Sequence, residues 1–254
     1  HDLPHIGHIP KPKLINAYDC VVFMSKYASQ VWKAFYPLIS KNVIIPNGVD
    51  KERFYPREKD YDYLIFGSAP NRGLNYLSLM LSALRSRVRK SLYLKAYSNL
   101  AVLHPKEDTV IETPMFAKFD FAVREEPNLT VCDPLPQTKW AEELGKASLM
   151  IVPTSYPEIC SNSFLQALAS GTPIVTTGNL GSAGEWIKTG KNGFLTKYLP
   201  NDYMIYIIEI VRGAKRILSD RRVHTKMMRN AIKTKNLLSW EDIATKWDKM
   251  LRRL

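Results

Sequence analysis

Residues 148–177 read SLMIVPTSYPEICSNSFLQALASGTPIVTT, which places two short apolar runs on either side of a helical segment. The runs are residues 148–152 and 173–177. The helical segment extends from Asn162 to Ser170 and is apolar or small on nearly every side. Short apolar strands that alternate with helices are typical of a parallel β-sheet covered by helices on both faces. These residues therefore predict a strand–helix–strand unit of an α/β protein.

The same alternation continues on both sides of this unit. Strands are predicted at residues 19–24, 42–45, 63–66, 92–96 and 129–132. Helices are predicted at residues 25–36, 73–89, 138–146 and 183–188, and from residue 201 to the end. Residues 99–126 have no clear period. This order of elements predicts an α/β fold with a doubly wound, Rossmann-like parallel sheet.

The last helix has a clear start and one apolar face. Ser239 is its predicted N-cap, and Glu241 and Asp242 follow in the first turn, where carboxylates suit the helix dipole. One stripe at helical spacing is predicted to be buried, and it consists of Trp240, Ile243, Trp247, Met250, Leu251 and Leu254.

Composition excludes several classes of protein. The chain has 254 residues, of which 45% are hydrophobic, and its net charge is +12, which is ordinary for a folded protein. No run approaches the ~20 apolar residues that a membrane span needs. Three cysteines are too few for a disulfide framework, and we expect a reducing compartment. Because the chain starts at His1 rather than Met, we expect a processed chain or a fragment.

Positive charge is concentrated near the end of the chain. Residues 211–254 contain 13 Lys and Arg against 4 Asp and Glu, and so carry +9 of the +12. A basic surface suits nucleic acid, anionic lipid or a phosphorylated ligand. A set of solvated helix faces explains the same charge equally well.

Ligands of open α/β sheets bind outside the carboxyl ends of the strands, so the loops there are candidate sites. Loop 67–73 is rich in small residues, and Arg72 precedes a predicted helix start, where an anion is favoured. A guanidinium suits a diphosphate, although a glycine-rich turn with a solvent-facing Arg is the plainer interpretation. Loop 178–185 has three glycines and Glu185, and either wraps a polar ligand or is a flexible turn.

Loop 153–161 carries a carboxylate and leads into the central helix. Glu158 lies at the carboxyl end of a strand, where it either accepts hydrogen bonds from sugar hydroxyls or has a structural or surface role. Ser161 is a plausible N-cap, which leaves the amides of the next three residues free to meet a phosphate, namely those of Asn162, Ser163 and Phe164.

Six motifs follow one another along the chain: Ile45-Pro-Asn-Gly-Val-Asp50, Ser68-x-x-x-Arg72-Gly73-Leu74, Pro157-Glu158, Gln166-Ala-Leu-Ala-Ser-Gly-Thr-Pro-Ile-Val175, Glu185-Trp-Ile-x-x-Gly-x-Asn-Gly193 and Ser239-Trp240. Together they resemble the retaining nucleotide-sugar transferases of glycosyltransferase family 4, which have the GT-B fold. The resemblance extends from about residue 19 to residue 247. Each motif is common by itself, but six in order are rarely accidental.

The resemblance implies two Rossmann-like domains that face a cleft, with the donor held mainly by the C-terminal one. Residues 1–50 are then the remnant of the N-terminal, acceptor-side domain, residues 51–236 the nucleotide-sugar-binding domain, and residues 237–254 a helix that crosses back. The implied reaction moves a sugar from a nucleoside diphosphate, such as a UDP- or GDP-sugar, to an acceptor hydroxyl, with retention and without a metal or cofactor.

The resemblance also implies partners and a location. The acceptor is a glycan or a lipid-linked molecule, which belongs to glycan biosynthesis. We expect a cytoplasmic protein without a nucleic-acid partner, and the basic face allows peripheral contact with an anionic membrane.

Residue roles follow from the same resemblance. Arg72 stands where the family has a diphosphate-binding Lys, and Glu158 is expected at the donor sugar's hydroxyls. Gln166 stands where a second Glu meets the ribose. His1 corresponds to a histidine near the reacting carbon. The remaining expected donor contacts are Ser68, Gly73, Ser161 and the 162–164 amides at the diphosphate, Gly181 and Ser182 near the sugar, and Leu135 with Pro136 near the base.

Three departures from the family pattern stand out. The family often has an Arg near the position of Ser68, so the diphosphate site of this chain has one cation fewer. Gln166 can bond ribose hydroxyls through its amide, but because the amide carries no charge the interaction should be weaker than that of the family's Glu. Most of the family's N-terminal domain, with its glycine-rich loop and acceptor surface, is expected to precede His1. A metal is not expected, because the Asp-x-Asp triplet at residues 60–62 precedes its strand and so lies at the wrong end of the sheet.

Two other functions remain open at this level. One is a noncatalytic module that binds a nucleotide sugar or another anionic ligand, which Gln166 and the missing domain favour. The other is a nucleotide-sugar epimerase of the same fold, which should have more acid–base residues around its cleft. Nucleic-acid binding is disfavoured because Trp240 and Trp247, the aromatic residues of the basic segment, are expected to be buried.

Overall fold

A computed structural model describes residues 15, 17–99, 126–197, 202–235 and 239–254, and within them it contains two parallel β-sheets. The small sheet pairs β1 (Val21–Phe23) with β2 (Asn42–Ile44), joined by helix α1 (Lys26–Phe35). Ser25 caps α1, since its hydroxyl accepts the Ala28 N–H at 3.0 Å. The predicted strand–helix–strand segment at the start of the chain is therefore present.

The large sheet has six parallel strands in the order β5-β4-β3-β6-β7-β8. The strands are β3 (Asp60–Gly67), β4 (Tyr93–Tyr97), β5 (Leu129–Cys132), β6 (Ala147–Val152), β7 (Ile174–Thr177) and β8 (Gly193–Thr196). The helices are α2 (Leu77–Arg87), α3 (Gln137–Lys146), α4 (Asn162–Ala169), α5 (Ala183–Trp186), α6 (Tyr203–Leu218), α7 (Arg221–Lys235) and α8 (Trp240–Leu251). The predicted doubly wound parallel sheet is confirmed.

The strand order creates a switch point between β3 and β6. From β3 the chain moves through α2 to β4 on one side, and from β6 it moves through α4 to β7 on the other. Right-handed crossovers in opposite directions place α2 and α4 on opposite faces. A crevice is expected at such a point, here at the carboxyl ends of β3 and β6, between loops 67–73 and 153–161.

Three elements differ from the sequence prediction. Strand β3 starts at Asp60, three residues earlier than expected, and β8 was not predicted. The helix predicted from residue 73 starts as two 3-10 turns, because Gly73 adopts a left-handed φ of 97° between them. The prediction for His1 lies outside the described residues, as does the unassigned segment 100–125.

The buried stripe predicted on α8 is largely wrong. Ile243 is buried, but Trp240 and Trp247 are 49% and 40% exposed, and Leu251 and Leu254 are also exposed. Among the described residues, Trp240, Ile243 and Trp247 line an apolar cavity of about 380 Å³, whose other walls are the small sheet and Ile159. The argument against nucleic acid that rested on burial of the two tryptophans therefore loses its premise.

The start of α8 is as predicted. Ser239 and Asp242 cap each other reciprocally, and Ser239 pairs with Val49 next to the small sheet. A Cβ atom on Gly48 would lie 2.8 Å from the Trp240 ring, so only glycine allows this approach.

The three predicted domain ranges stay predictions. In the part of the chain that is described, no helix has the length and hydrophobicity that crossing a bilayer requires.

A buried histidine contributes to the stability of the large sheet. His224 on α7 is 1% exposed, and its Nε2 lies 2.7 Å from the carbonyl of Ser148 on β6. Because a carbonyl only accepts, Nε2 carries the proton, and buried Nδ1 has no partner among the described residues. Burial lowers the pKa of His224, and nearby Lys59 and Arg89 lower it further.

We expect acid to destabilise the fold through this residue. The pKa of folded His224 lies below the ordinary value of about 6.5, so the unfolded chain binds the proton more readily. The stabilisation is present above that pH and is lost as pH falls through the folded pKa, at up to about 1.4 kcal/mol per pH unit. Urea unfolding at pH 7 and pH 5 measures it. His224→Gln retains a donor for Ser148 but does not titrate, and an equal pH dependence in this variant would contradict the assignment.

Candidate functional site

At the switch point, the loops after β3 and β6 bring two charged side chains together. Arg72 Nε donates to Glu158 Oε1 at 2.7 Å, and the two side chains are only 16% and 21% exposed. Arg72 Nη1 also donates to Asn71 Oδ1 at 3.2 Å. The two residues predicted from separate loops are therefore in direct contact.

Tyr156 forms the floor under Arg72. The centre of the guanidinium lies 3.3 Å from the centroid of the Tyr156 ring, in the geometry of a cation–π contact. Such a contact contributes about 0.5–2 kcal/mol, depending on how far the cation is desolvated. Tyr156 and Glu158 thus hold the guanidinium plane in one orientation at the rim of the crevice.

Helix α4 starts beside this pair. Ser161 occupies the N-cap position as predicted, but its hydroxyl does not cap the helix and instead lies 3.1 Å from the Ser163 hydroxyl. The first-turn amides of α4 are thus not used by a side-chain cap. The Asn162 side chain accepts from Asn47 Nδ2 at 2.6 Å, and the Phe164 side chain is buried in the core.

Hydrogen bonds fix the orientation of the Gln166 side-chain amide. Trp140 Nε1–H donates to Gln166 Oε1 at 2.9 Å, and because an indole only donates, the amide oxygen must face Trp140. Gln166 Nε2 donates to Gln137 Oε1 at 3.3 Å. One N–H of the Gln166 amide is therefore left for a ligand, whereas a Glu at this position would offer only acceptors.

Several predicted donor contacts lie where the backbone must come close. A Cβ atom on Gly73 would lie 2.1 Å from the Pro153 carbonyl, so glycine is required where the two loops meet. The Ser68 carbonyl accepts from Ser98 Oγ at 2.7 Å, and Leu135 packs partly buried against the core beyond β5.

Loop 178–185 packs on the backbone of Glu158. Ser182 N donates to the Glu158 carbonyl at 2.6 Å, and Gly181 has a φ of 68°. A Cβ atom on Gly181 would lie 2.5 Å from both the nitrogen and the carbonyl oxygen of Glu158. Glu185 does not point to a free polar site, because its carboxylate accepts the backbone N–H groups of Lys26 and Tyr27.

The carboxylate of Glu143 binds tyrosine side chains of β3 and β4. Burial raises the pKa of Glu143, but hydrogen bonds from the Tyr63 and Tyr97 hydroxyls, at 2.7 and 2.8 Å, outweigh it and the net pKa is lowered. Burial and these bonds raise the pKa of Tyr63, so this hydroxyl stays protonated. This cluster fixes the end of β4 rather than presenting a reactive group.

Sequence reasoning assigned no role to Tyr156, Trp140 or Asn47. Tyr156 lies two residues before Glu158, and Asn47 is part of the Pro-Asn-Gly turn. Both therefore lie in motifs that the sequence had already indicated. Trp140 had none, because its bond to Gln166 joins two different helices. Within the described ranges, no three His, Cys, Asp or Glu side chains are grouped as metal ligands would be.

The Asp-x-Asp triplet lies at the other end of the sheet, as predicted. Asp60 and Asp62 belong to the first residues of β3, where Asp60 accepts from Tyr93 and Asp62 pairs with Arg89. Both carboxylates are therefore engaged far from the crevice.

Solved structures with the same fold support this arrangement of the sheet. Sucrose-phosphate synthase from Thermosynechococcus elongatus is 18% identical over 95% of this chain and 60% of its own, with a TM-score of 0.73. The pneumococcal O-GlcNAc transferase GtfA, in complex with UDP and GlcNAc, is 12% identical over 95% and 46%, with a TM-score of 0.76. HepE from Anabaena, in complex with UDP-glucose, is 14% identical over 100% and 71%, with a TM-score of 0.75.

The chain spans 46% to 60% of the first two of these structures. No curated protein sequence matches it. The family described as glycosyl transferases group 1 matches residues 61–212, which is more than half of the chain. The chain therefore belongs to this family of glycosyltransferases, and the resemblance stated from its motifs is confirmed at that level.

We expect Gly181→Ala to damage the site more than its backbone strain accounts for. The new Cβ would collide with the Glu158 backbone and displace the carboxylate from Arg72. Gly190→Ala is the matched control, since Gly190 also has a positive φ, of 79°, but has nothing within 4 Å. Backbone strain should cost both variants about 1 kcal/mol, and the collision should add to this loss in Gly181→Ala alone. The thermal melting temperature of each variant, compared with the wild type, measures the loss, and a Gly181→Ala loss no larger than that of Gly190→Ala contradicts this packing.

Proposed function

We propose that this chain forms the donor side of a retaining glycosyltransferase that moves a sugar from a nucleoside diphosphate to an acceptor hydroxyl. The observation that carries the proposal is the convergence of Arg72, Glu158 and the start of α4 at one crevice. Positive charge and free amides suit a diphosphate, and a carboxylate beside them suits sugar hydroxyls.

The diphosphate contacts Arg72 and the amides of residues 162–164. Arg72 lies on Tyr156, its Nε donates to Glu158 and its Nη1 donates to Asn71, so Nη2 is the proposed donor to the diphosphate. As the sugar leaves, negative charge grows on the diphosphate, and fixed donors stabilise it without reorganisation. Ser68 and Gly73 line the same turn, and Gly73 allows the loop to approach closely.

The sugar lies against Glu158, next to Gly181 and Ser182. Glu158 accepts hydrogen bonds from sugar hydroxyls and positions the ring. It does not attack the anomeric carbon, and the acceptor approaches from the same face that the diphosphate leaves, which retains the configuration. His1 is proposed near the reacting carbon on the strength of the family resemblance alone.

The nucleoside lies towards Gln166 and Leu135. Trp140 holds the Gln166 oxygen on its own side, and we expect the remaining N–H of Gln166 to donate to a ribose hydroxyl. A neutral donor gives a weaker contact than a carboxylate. The proposed donors are UDP- or GDP-sugars, and UDP and UDP-glucose, which are bound in GtfA and HepE, are the first probes to use.

No metal or cofactor takes part in the proposed reaction. Arg72 and the α4 amides supply the positive charge that a divalent cation supplies in other sugar transferases. The noncatalytic module is the competing proposal, and the neutral Gln166 favours it. Nucleotide-sugar binding without release of the sugar would support that module.

We further propose that the acceptor is a glycan or lipid-linked molecule and that the protein works at the cytoplasmic surface of an anionic membrane. One face of α6 is exposed and changes along its length from apolar to basic. Its apolar residues are Met204, Ile205 and Ile208, and its basic ones Arg212, Lys215 and Arg216. An apolar patch beside cations matches the interface of an anionic bilayer.

Arg72→Ala and Glu158→Ala should each greatly reduce turnover without unfolding the protein. Loss of a hydrogen bond to a charged group costs about 1.5–3 kcal/mol, so we expect UDP affinity to fall about 10- to 100-fold in Arg72→Ala. Calorimetric titration with UDP and UDP-glucose, and assay of sugar release, measure both. Arg87→Ala, an exposed arginine on α2, is the control. Wild-type rates in both site variants would refute the proposal.

Neutralising Arg212, Lys215 and Arg216 together should weaken binding to phosphatidylglycerol vesicles at least ~10-fold, since each cation near an anionic surface contributes about 1 kcal/mol. Vesicle co-sedimentation measures the loss. The matched control neutralises Arg222, Lys226 and Arg229 on α7, which removes the same charge from another helix. An equal loss in both variants contradicts a specific role for the α6 face.

A further inference from the structure

Glu185 forms an unusual cap on a helix of the other sheet. Its Oε2 accepts the Lys26 N–H at 3.0 Å and its Oε1 accepts the Tyr27 N–H at 2.9 Å. These amides start α1, which has no acidic residue in its own first turn. The positive end of the helix dipole therefore receives its carboxylate from a residue 159 positions further along the chain.

Glu185 is also connected to the crevice by a short backbone path. Its own N–H donates to the Ser182 carbonyl at 2.8 Å, and Ser182 N–H donates to the Glu158 carbonyl at 2.6 Å. Gly181, just before it, packs against the Glu158 backbone. Glu185 therefore joins α1 of the small sheet to the loop that carries Glu158.

The same loop has further contacts with the small sheet. Ile159 packs against the apolar cluster of the small sheet, and Asn162 accepts from Asn47 at 2.6 Å. The small sheet therefore touches the crevice through residues on both sides of the predicted sugar position.

We propose that Glu185 is a positioning residue, which holds the small sheet in register with Glu158 so that the sugar and its acceptor meet correctly. It touches neither the nucleotide nor the sugar. The inference rests on the proposed function, because the sugar-binding role of Glu158 is itself proposed. A carboxylate suits this contact best, since each of the two N–H donors has its own oxygen, whereas a Gln side chain offers one oxygen for both.

The test compares Glu185→Ala and Glu185→Gln with Ser25→Ala. Ser25→Ala removes the other cap of the same helix, at Ala28, without touching the Glu158 loop. We expect both Glu185 variants to bind UDP within two-fold of wild type. Release of UDP from UDP-glucose should be at least ten-fold slower in Glu185→Ala and less impaired in Glu185→Gln. Ser25→Ala should keep its rate within two-fold.

Amide hydrogen exchange checks the contact independently of activity. Lys26 and Tyr27 should exchange faster in the Glu185 variants, and Ala28 faster in Ser25→Ala. If Glu185→Ala does not fold, Glu185→Gln decides the comparison.

Unchanged rates in folded Glu185 variants would overturn the inference, as would an equal fall in Ser25→Ala, which indicates helix stability alone. A fall in UDP affinity parallel to the rate would also overturn it. Failure of the wild-type protein to bind UDP would instead overturn the proposed function, and the inference with it.

Discussion

The contact between Arg72 and Glu158 depends on the direction of the strands more than on either residue. Both follow strands that run in parallel and neighbour each other in the sheet, so their loops leave the same edge. The chain connections diverge there, since β3 leads to β4 on one side and β6 leads to β7 on the other. Charge, aromatic support and free amides can then occupy one crevice although they come from distant segments.

The same packing limits what the sequence predicts. The loops after β3 and β6 could be located because an apolar run ends where each loop begins. The pairing of Arg72 Nε with Glu158 Oε1 could not, because it joins residues 86 positions apart and depends on side-chain orientation. Strand β8 was missed because it is only four residues long and only two of them, Phe194 and Leu195, are large and apolar.

Helix α8 and Gln166 illustrate two different limits. The apolar spacing on α8 predicted a stripe correctly but could not say how much of it would be covered, which depends on the partner surface. At Gln166 the motif position indicated a ligand contact, yet the direction of its amide is decided by Trp140 on a neighbouring helix. A sequence motif identifies the residue that contacts a ligand, while the fold determines which of that residue's atoms can make the contact.

The contacts that attach the small sheet to the rest of the protein also affect when it can be completed during synthesis. The Lys26 N–H is bound by the carboxylate of Glu185, 159 residues later, and Val49 pairs with Ser239. Closing such long loops is entropically costly before the large sheet exists. Strands β1 and β2 are consequently fixed to the large sheet only after residues 185 and 239 have been made, although the two strands can pair with each other much earlier.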